Sequence, residues 1–98
     1  MAGAIMETQH VRYFLAICEE LSFTRAAQKC GIKQPTLSEA IKQMERAMGG
    51  KLFVRGSPVQ LTNLGFQLQP VCMQIILDFI YHEYFRASLS GAKVASAI

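Results

Sequence analysis

Little in this 98-residue chain points to chemistry. There is no glycine-rich phosphate loop, no HExxH helix and no nucleophile–base pair that a pocket could assemble, so an enzyme is not expected. The histidines, His10 and His82, are too far apart to found a metal site. The cysteines are scarce and odd in number. Cys18, Cys30 and Cys72 follow neither zinc spacing nor a disulfide framework, and read as reduced, mostly buried thiols. The opening MAGAIMETQH lacks a basic stretch followed by an apolar one, so no signal peptide is expected. The apolar run near Ile75 to Ile80 is broken by Asp78 and is too short to span a bilayer. No cofactor, no metal and no membrane partner are expected.

Charge is thin as well: ten bases and seven acids leave a formal +3, too little to argue for a polyanionic partner. Its placement says more. Between Thr24 and Arg55 stand seven bases (Arg25, Lys29, Lys33, Lys42, Arg46, Lys51, Arg55) against two acids, Glu39 and Glu45, a net of +5. The residues before this stretch sum to −2 and those after it to zero. A concentration of this kind is either a solvated basic face or the footprint of a surface that meets nucleic acid. At this length the chain is one small domain. With 51% hydrophobic residues it has material for a core but is marginal alone, and a dimer burying more surface would help.

The pattern along the chain is helical. Residues 1–7 read as a lead-in, with Thr8 as N-cap of a first helix reaching about Leu21. Val11, Phe14, Leu15, Cys18 and Leu21 make its apolar face. Ser22 caps a second helix, Phe23 to Cys30, whose Ala26 and Ala27 let a neighbour approach closely. Gly31 suits the left-handed position that ends it, and Ile32 drops into the core. A third helix begins near Gln34, with Pro35 in its first turn. Leu37, Ile41, Met44 and Met48 form its inner face; Pro35, Glu39, Lys42 and Arg46 lie opposite, flanked by Thr36, Ser38 and Gln43. Gly49 and Gly50 end it. Leu52 to Val54 and Val59 to Leu61 read as two short strands around a Gly56-Ser57-Pro58 turn. Thr62 then caps a final helix to about residue 88, apolar on more than one side and carrying Pro70 inside it.

Two helices joined at a glycine, the second with one oily and one polar, basic face, are the layout of a helix-turn-helix. In that motif the second helix enters the DNA major groove. The hairpin after it is a wing. The expected class is therefore all-α with a small two-stranded β wing: a winged helix-turn-helix over 1–62, a long dimerisation helix over 63–90 and a flexible tail over 91–98.

RYFLAICEELSFTRAA (Arg12 to Ala27), QPTLSEAIKQME (Gln34 to Glu45), LFVR (Leu52 to Arg55) and LTNLG (Leu61 to Gly65) together resemble the N-terminal region of the LysR-type transcriptional regulators. The resemblance runs from about Met6 to residue 90. It implies a winged helix-turn-helix that binds double-stranded DNA as a dimer, its linker helix packed against the partner's. It also implies an effector domain after this point in full-length members, so no small-molecule inducer is expected on this chain. The family's DNA contacts map onto Gln34, Pro35, Thr36, Ser38 and Glu39, onto Arg55 at the wing, and onto Ser22 and Thr24 at the phosphate backbone. The chain departs from the family pattern at Lys33, which stands where serine is usual, and at Glu39, which stands where a base is usual. Its wing turn is also about one residue short, with no base after Arg55.

Residue by residue, Gln34 can pair with adenine and Ser38 with either sort of base edge. Glu39 can accept from a cytosine amino group or be held by Lys42 one turn on. Lys33, Lys42, Arg46 and Arg55 are candidate phosphate contacts. Leu68, Val71, Cys72, Ile75, Ile76 and Phe79 are the expected homodimer interface on the last helix. The expected function is sequence-specific DNA binding at an inverted-repeat operator, in the cytoplasm on the nucleoid. The alternative is a truncated interaction module that heterodimerises with a full-length regulator.

Overall fold

The structure is a computed structural model that describes residues 7–89. Four helices and one hairpin follow in order: α1 (Thr8–Glu20), α2 (Phe23–Cys30), α3 (Gln34–Met48), β1 (Phe53–Val54), β2 (Gln60–Leu61) and α4 (Asn63–Leu89). The tail expected over 91–98 and most of the lead-in lie outside the described residues.

Helix ends follow local chemistry with one exception. Ser22 is the N-cap of α2, its hydroxyl accepting from the Arg25 N–H at 3.1 Å. Gly31 and Gly49 close α2 and α3 in the left-handed region, at φ 72° and 80°. Pro35 sits in the first turn of α3, where its missing N–H leaves nothing unpaired. The exception is α1. Thr8 is its first helical residue; Glu7 is the N-cap and makes no side-chain bond. Leu21, expected on the apolar face, is instead the C-cap. It takes the left-handed conformation at φ 52°, and its side chain is turned out of the core. Ile17 fills that place, fully buried one turn after Phe14.

α1 is the hub, packed against α2, α3 and α4. Val11, Phe14 and Ile17 meet Ala26 and Ala27 of α2 and Leu37, Ile41 and Met44 of α3 in one buried cluster. Ile32 is only partly buried at its edge, and Met48 is exposed. The wing is minimal: Phe53 pairs with Leu61 and Val54 with Gln60, antiparallel. Leu52 and Val59, expected to extend the strands, are core residues instead, and the Val59 N–H bonds to the Leu21 carbonyl at 3.0 Å. Aromatic packing anchors the hairpin. The Phe53 ring lies 5.2 Å from Phe14 and 5.9 Å, edge-on, from Phe23.

Thr62 joins wing to last helix. Its hydroxyl donates to the Lys51 carbonyl at 2.6 Å and accepts from the Gly65 N–H at 3.0 Å. A Cβ on Gly65 would lie 2.3 Å from the Leu52 carbonyl oxygen, so only glycine allows α4 to start so close to the wing.

α4 runs unbroken through Pro70. Phe66, whose carbonyl loses its helical partner to that proline, and Pro70 itself are both exposed, so water can reach the orphaned group. Only the first half of α4 is covered: Leu68 and Cys72 are buried in the chain's own core, and Ile75 and Ile76 pack at its margin. Two expectations change here. Leu68 and Cys72, read as dimer contacts, face α1. The helix is also long and apolar enough, by length and composition, to cross a membrane: mean hydropathy reaches 1.2 over 18 residues. The run near Ile75 to Ile80, broken by Asp78, is only a part of that length.

Candidate nucleic-acid interface

The N-terminal ends of α2 and α3 and the wing tip converge on one side of the molecule. Ser22, Thr24, Arg25 and Gln34 share an open groove of about 460 Å³ with Arg55 and the Gly56–Pro58 turn. Residues as far apart in sequence as Ser22 and Pro58 thus line one surface. Thr24, Lys33, Gln34, Pro35, Thr36, Glu39, Lys42, Arg46 and Arg55 are all exposed; Ser22 and Ser38 are half-buried. Each is on, or directly flanks, an element whose other face is core. On α3, for example, Leu37, Ala40, Ile41 and Met44 point inward, so Pro35, Glu39, Lys42 and Arg46 crown the outer side.

Arg55 is the best-defined cation of this surface. Its guanidinium lies 3.6 Å over the Phe23 ring, and its Nη2 donates to the Ser38 hydroxyl at 2.9 Å. The wing is thereby tied both to the helix it flanks and to the start of α2. Nothing in the sequence pattern marks Phe23 as a platform, because it reads as core, and it is core on its other face. Ser38 accepts from Arg55, so its own O–H is left to donate outward.

Ion pairs divide the seven bases of the 24–55 stretch. Arg25 pairs with Glu20 at 3.5 Å and donates to the Glu20 carbonyl. Lys29 bonds Glu19 and lies 3.5 Å from Glu20. The hydrogen bond to Glu19, ahead of burial and charge effects, raises the Lys29 pKa. Lys51 lies 3.9 Å from Glu45, whose other carboxylate oxygen accepts from the Leu52 N–H at 2.9 Å. Arg46 pairs with Glu39 at 3.2 Å. Among the described residues, Lys33, Lys42 and Arg55 have no carboxylate partner, and all three stand on the outer surface around α3. The acids thus take charge from both ends of α2 and the far end of α3; of the groove's two bases Arg25 is paired and Arg55 is left without a carboxylate.

Glu39 departs from the partner expected for it. Its partner is Arg46, two turns on, not Lys42. Seven residues return almost to the same helix face, whereas three rotate the side chain away. Lys42 lies toward the wing, in a cleft with Ser38, Phe53 and Arg55; Glu39 lies toward α1, in a groove with His10, Thr36 and Gln43. His10, read as a surface residue, is half-buried there, with Nδ1 buried and without a hydrogen-bond partner. The thiols sit elsewhere. Burial pushes Cys18 up to about 12, with Cys72 nearby adding to the rise, and pushes Cys72 up to about 11. Among the described residues no group of three or more His, Cys, Asp or Glu side chains could hold a metal ion.

Residues 8–66, more than half of the chain, match the bacterial regulatory helix-turn-helix proteins of the lysR family. The chain belongs to the LysR family. Its relatives include the HTH-type transcriptional regulators CatR of Pseudomonas putida, 48% identical over 60 residues, and BenM of Acinetobacter baylyi, 51% identical over 61. Each alignment covers 61% of this chain but only 21% and 20% of the relative, so the chain spans about a fifth of the length of these LysR proteins. Solved structures agree over more of the chain. The BenM DBD in complex with catB site 1 DNA superposes with a TM-score of 0.82 at 34% identity, covering 88% of this chain and 98% of that one. Its complex with benA site 1 DNA gives 0.80 at 35%, over 87% and 97%. The likeness therefore continues past the helix-turn-helix into α4. The protein is a LysR-type winged helix-turn-helix DNA-binding domain, mostly helical with a two-stranded sheet.

Proposed function

We propose that this chain reads double-stranded DNA sequence-specifically for a LysR-type transcriptional regulator, as a homodimer on an inverted-repeat operator in the bacterial cytoplasm, and that it is not an enzyme. The observation that carries this reading is the convergence of Ser22, Thr24, Gln34 and Arg55 on one groove. It occurs in a fold that superposes on a domain solved with DNA. α3 enters the major groove, with Gln34, Pro35, Thr36 and Ser38 at base edges. Lys33, Lys42 and Arg55 neutralise phosphates and fix register, and Ser22 and Thr24 hold the backbone beside α2.

The dimer rests on α4. With Leu68 and Cys72 committed to the core, and Ile75 and Ile76 half-covered, the free part of the expected interface is Val71 and Phe79. Phe66, Met73, Leu77 and Tyr84 form a second exposed stripe on the side of α4 away from the core, at steps of seven, four and seven. A stripe with that spacing suits another helix packed lengthwise. The alternative of a heterodimerising module finds no support in the relatives. Of the two features that favour it, Glu39 and the short wing, the first is compensated by the Glu39–Arg46 pair.

Fluorescence-anisotropy titration against random and pool-selected duplexes, at several salt concentrations, tests the proposal. Expected are a preferred palindrome and an affinity falling with salt at a slope of about 0.9 per phosphate neutralised. A folded dimer that binds no duplex at low salt would overturn it.

A further inference from the structure

The crown of α3 carries an acid where phosphates and base edges are expected. Glu39 is the sixth residue of the helix, exposed, and on the side opposite the buried Leu37, Ala40, Ile41 and Met44. Its Oε2 takes the Arg46 guanidinium at 3.2 Å. Among the described residues nothing else bonds its carboxylate, which leaves Oε1 free to accept; Glu39 lines the groove between α1 and α3 with His10, Thr36 and Gln43.

This arrangement has two consequences. The carboxylate is compensated at its far side, which reduces the repulsion an acid meets near phosphates. Arg46, drawn onto Glu39, is withheld from the phosphates it would otherwise contact. What remains is an acceptor, steadied on one side by Arg46, with no donor of its own. In the major groove guanine shows two acceptors and thymine one, and adenine sets an acceptor beside its amino group. Cytosine shows its amino donor alone. An acceptor-only group at the crown of the helix is repelled by the guanine and thymine edges, meets an acceptor beside the donor at adenine, and is accepted without opposition by cytosine.

We infer that Glu39 is a specificity-determining residue that selects cytosine at one position under each α3, with Arg46 as its positioning residue. This rests on the reading of α3 as the groove helix. It also accounts for a recognition helix that gives up one of its few outward cations.

The test selects duplexes from a random pool with the full chain and with its Glu39→Gln and Glu39→Ala variants. Both substitutions are at an exposed site and spare the core. The wild type should fix one cytosine per α3. Glu39→Gln should move that preference toward adenine, whose donor–acceptor pair suits an amide. Glu39→Ala should lose the preference, about 5- to 150-fold at that base. Its affinity for random duplex should rise, with a salt slope steeper by about one per protomer as Arg46 turns to phosphate. A second arm needs no variant. N4-methylcytosine at the selected position puts a methyl where the groove-facing amino hydrogen was; it should weaken the wild type by a similar factor and leave Glu39→Ala unmoved. Unchanged base preference in Glu39→Ala, or wild-type indifference to the methyl group, would overturn the inference while leaving DNA reading intact. A wild type that prefers no duplex would instead remove the reading of α3 on which it stands.

Discussion

Arg55 shows how much one side chain can be asked to do. It comes from the wing, stacks on Phe23 of α2 and donates to Ser38 of α3. It has no carboxylate competing for it, and its planar guanidinium can stack and donate at once, which an ammonium cannot. Arg55→Ala is expected to weaken binding to all duplexes alike and to reduce the salt slope by about one per protomer. Arg55→Lys should recover only part of this. Anisotropy titration at three salt concentrations checks both; unchanged affinity for random duplex in Arg55→Ala would remove the wing from the interface. At the same scale, the buried thiols set a limit at high pH. The folded chain keeps Cys18 and Cys72 protonated to about pH 12 and about pH 11, while the unfolded chain releases those protons near 9.0. The stability they contribute is therefore complete below about pH 9 and is lost as pH rises through the folded values. Melting temperature should fall more steeply above pH 9 in the wild type than in Cys18→Ala. Native Cys72 should resist alkylation at pH 8 and react once urea unfolds the chain.

Between elements, the joint of wing and α4 is the tightest point of the fold. Gly65 passes the Leu52 carbonyl where no Cβ fits, and Thr62 bonds both sides of the joint. Gly65→Ala should destabilise the domain by about 1–3 kcal/mol, through overpacking against backbone that cannot rotate aside. A thermal melt followed by circular dichroism measures this, and an unchanged midpoint would mean that α4 starts farther from the wing. This requirement is not visible in the sequence. Gly65 reads there as an ordinary residue in the first turn of a helix, and only the position of the Leu52 carbonyl excludes a side chain.

For the whole molecule the open question is what covers α4. Thirteen large apolar side chains among the described residues are exposed, and ten of them are on this helix. That is more than a small domain ordinarily leaves to water. Leu77 is fully on the outer stripe, whereas Ile76 leans on the protomer's own core. Leu77→Glu is therefore the cleaner probe. It should give monomers by analytical ultracentrifugation with helical content retained, and operator affinity should fall because two half-sites no longer bind together. A dimer of unchanged mass would take that stripe out of the interface.

The elements and their ends were legible because they depend on neighbours a few positions away. Apolar residues at steps of three and four mark the helices. Ser22, Pro35, Gly31 and Gly49 mark where they start and stop, since capping and left-handed turns are satisfied within one turn of chain. The same locality explains the misreading at α1. A threonine before a helix looks like a cap, but the Glu7 carbonyl already accepts from the Val11 N–H at 3.1 Å, which starts the helix at Thr8. The candidate DNA-facing residues could be named from the sequence, but their chemistry could not. That Arg46 rather than Lys42 holds Glu39 is settled along one helix, seven residues apart, whereas that Arg55 rests on Phe23, and that Leu68 and Cys72 turn inward, depend on groups distant in sequence. Tertiary packing decides these pairings, because a long charged side chain takes whichever partner the packed helices bring within its reach.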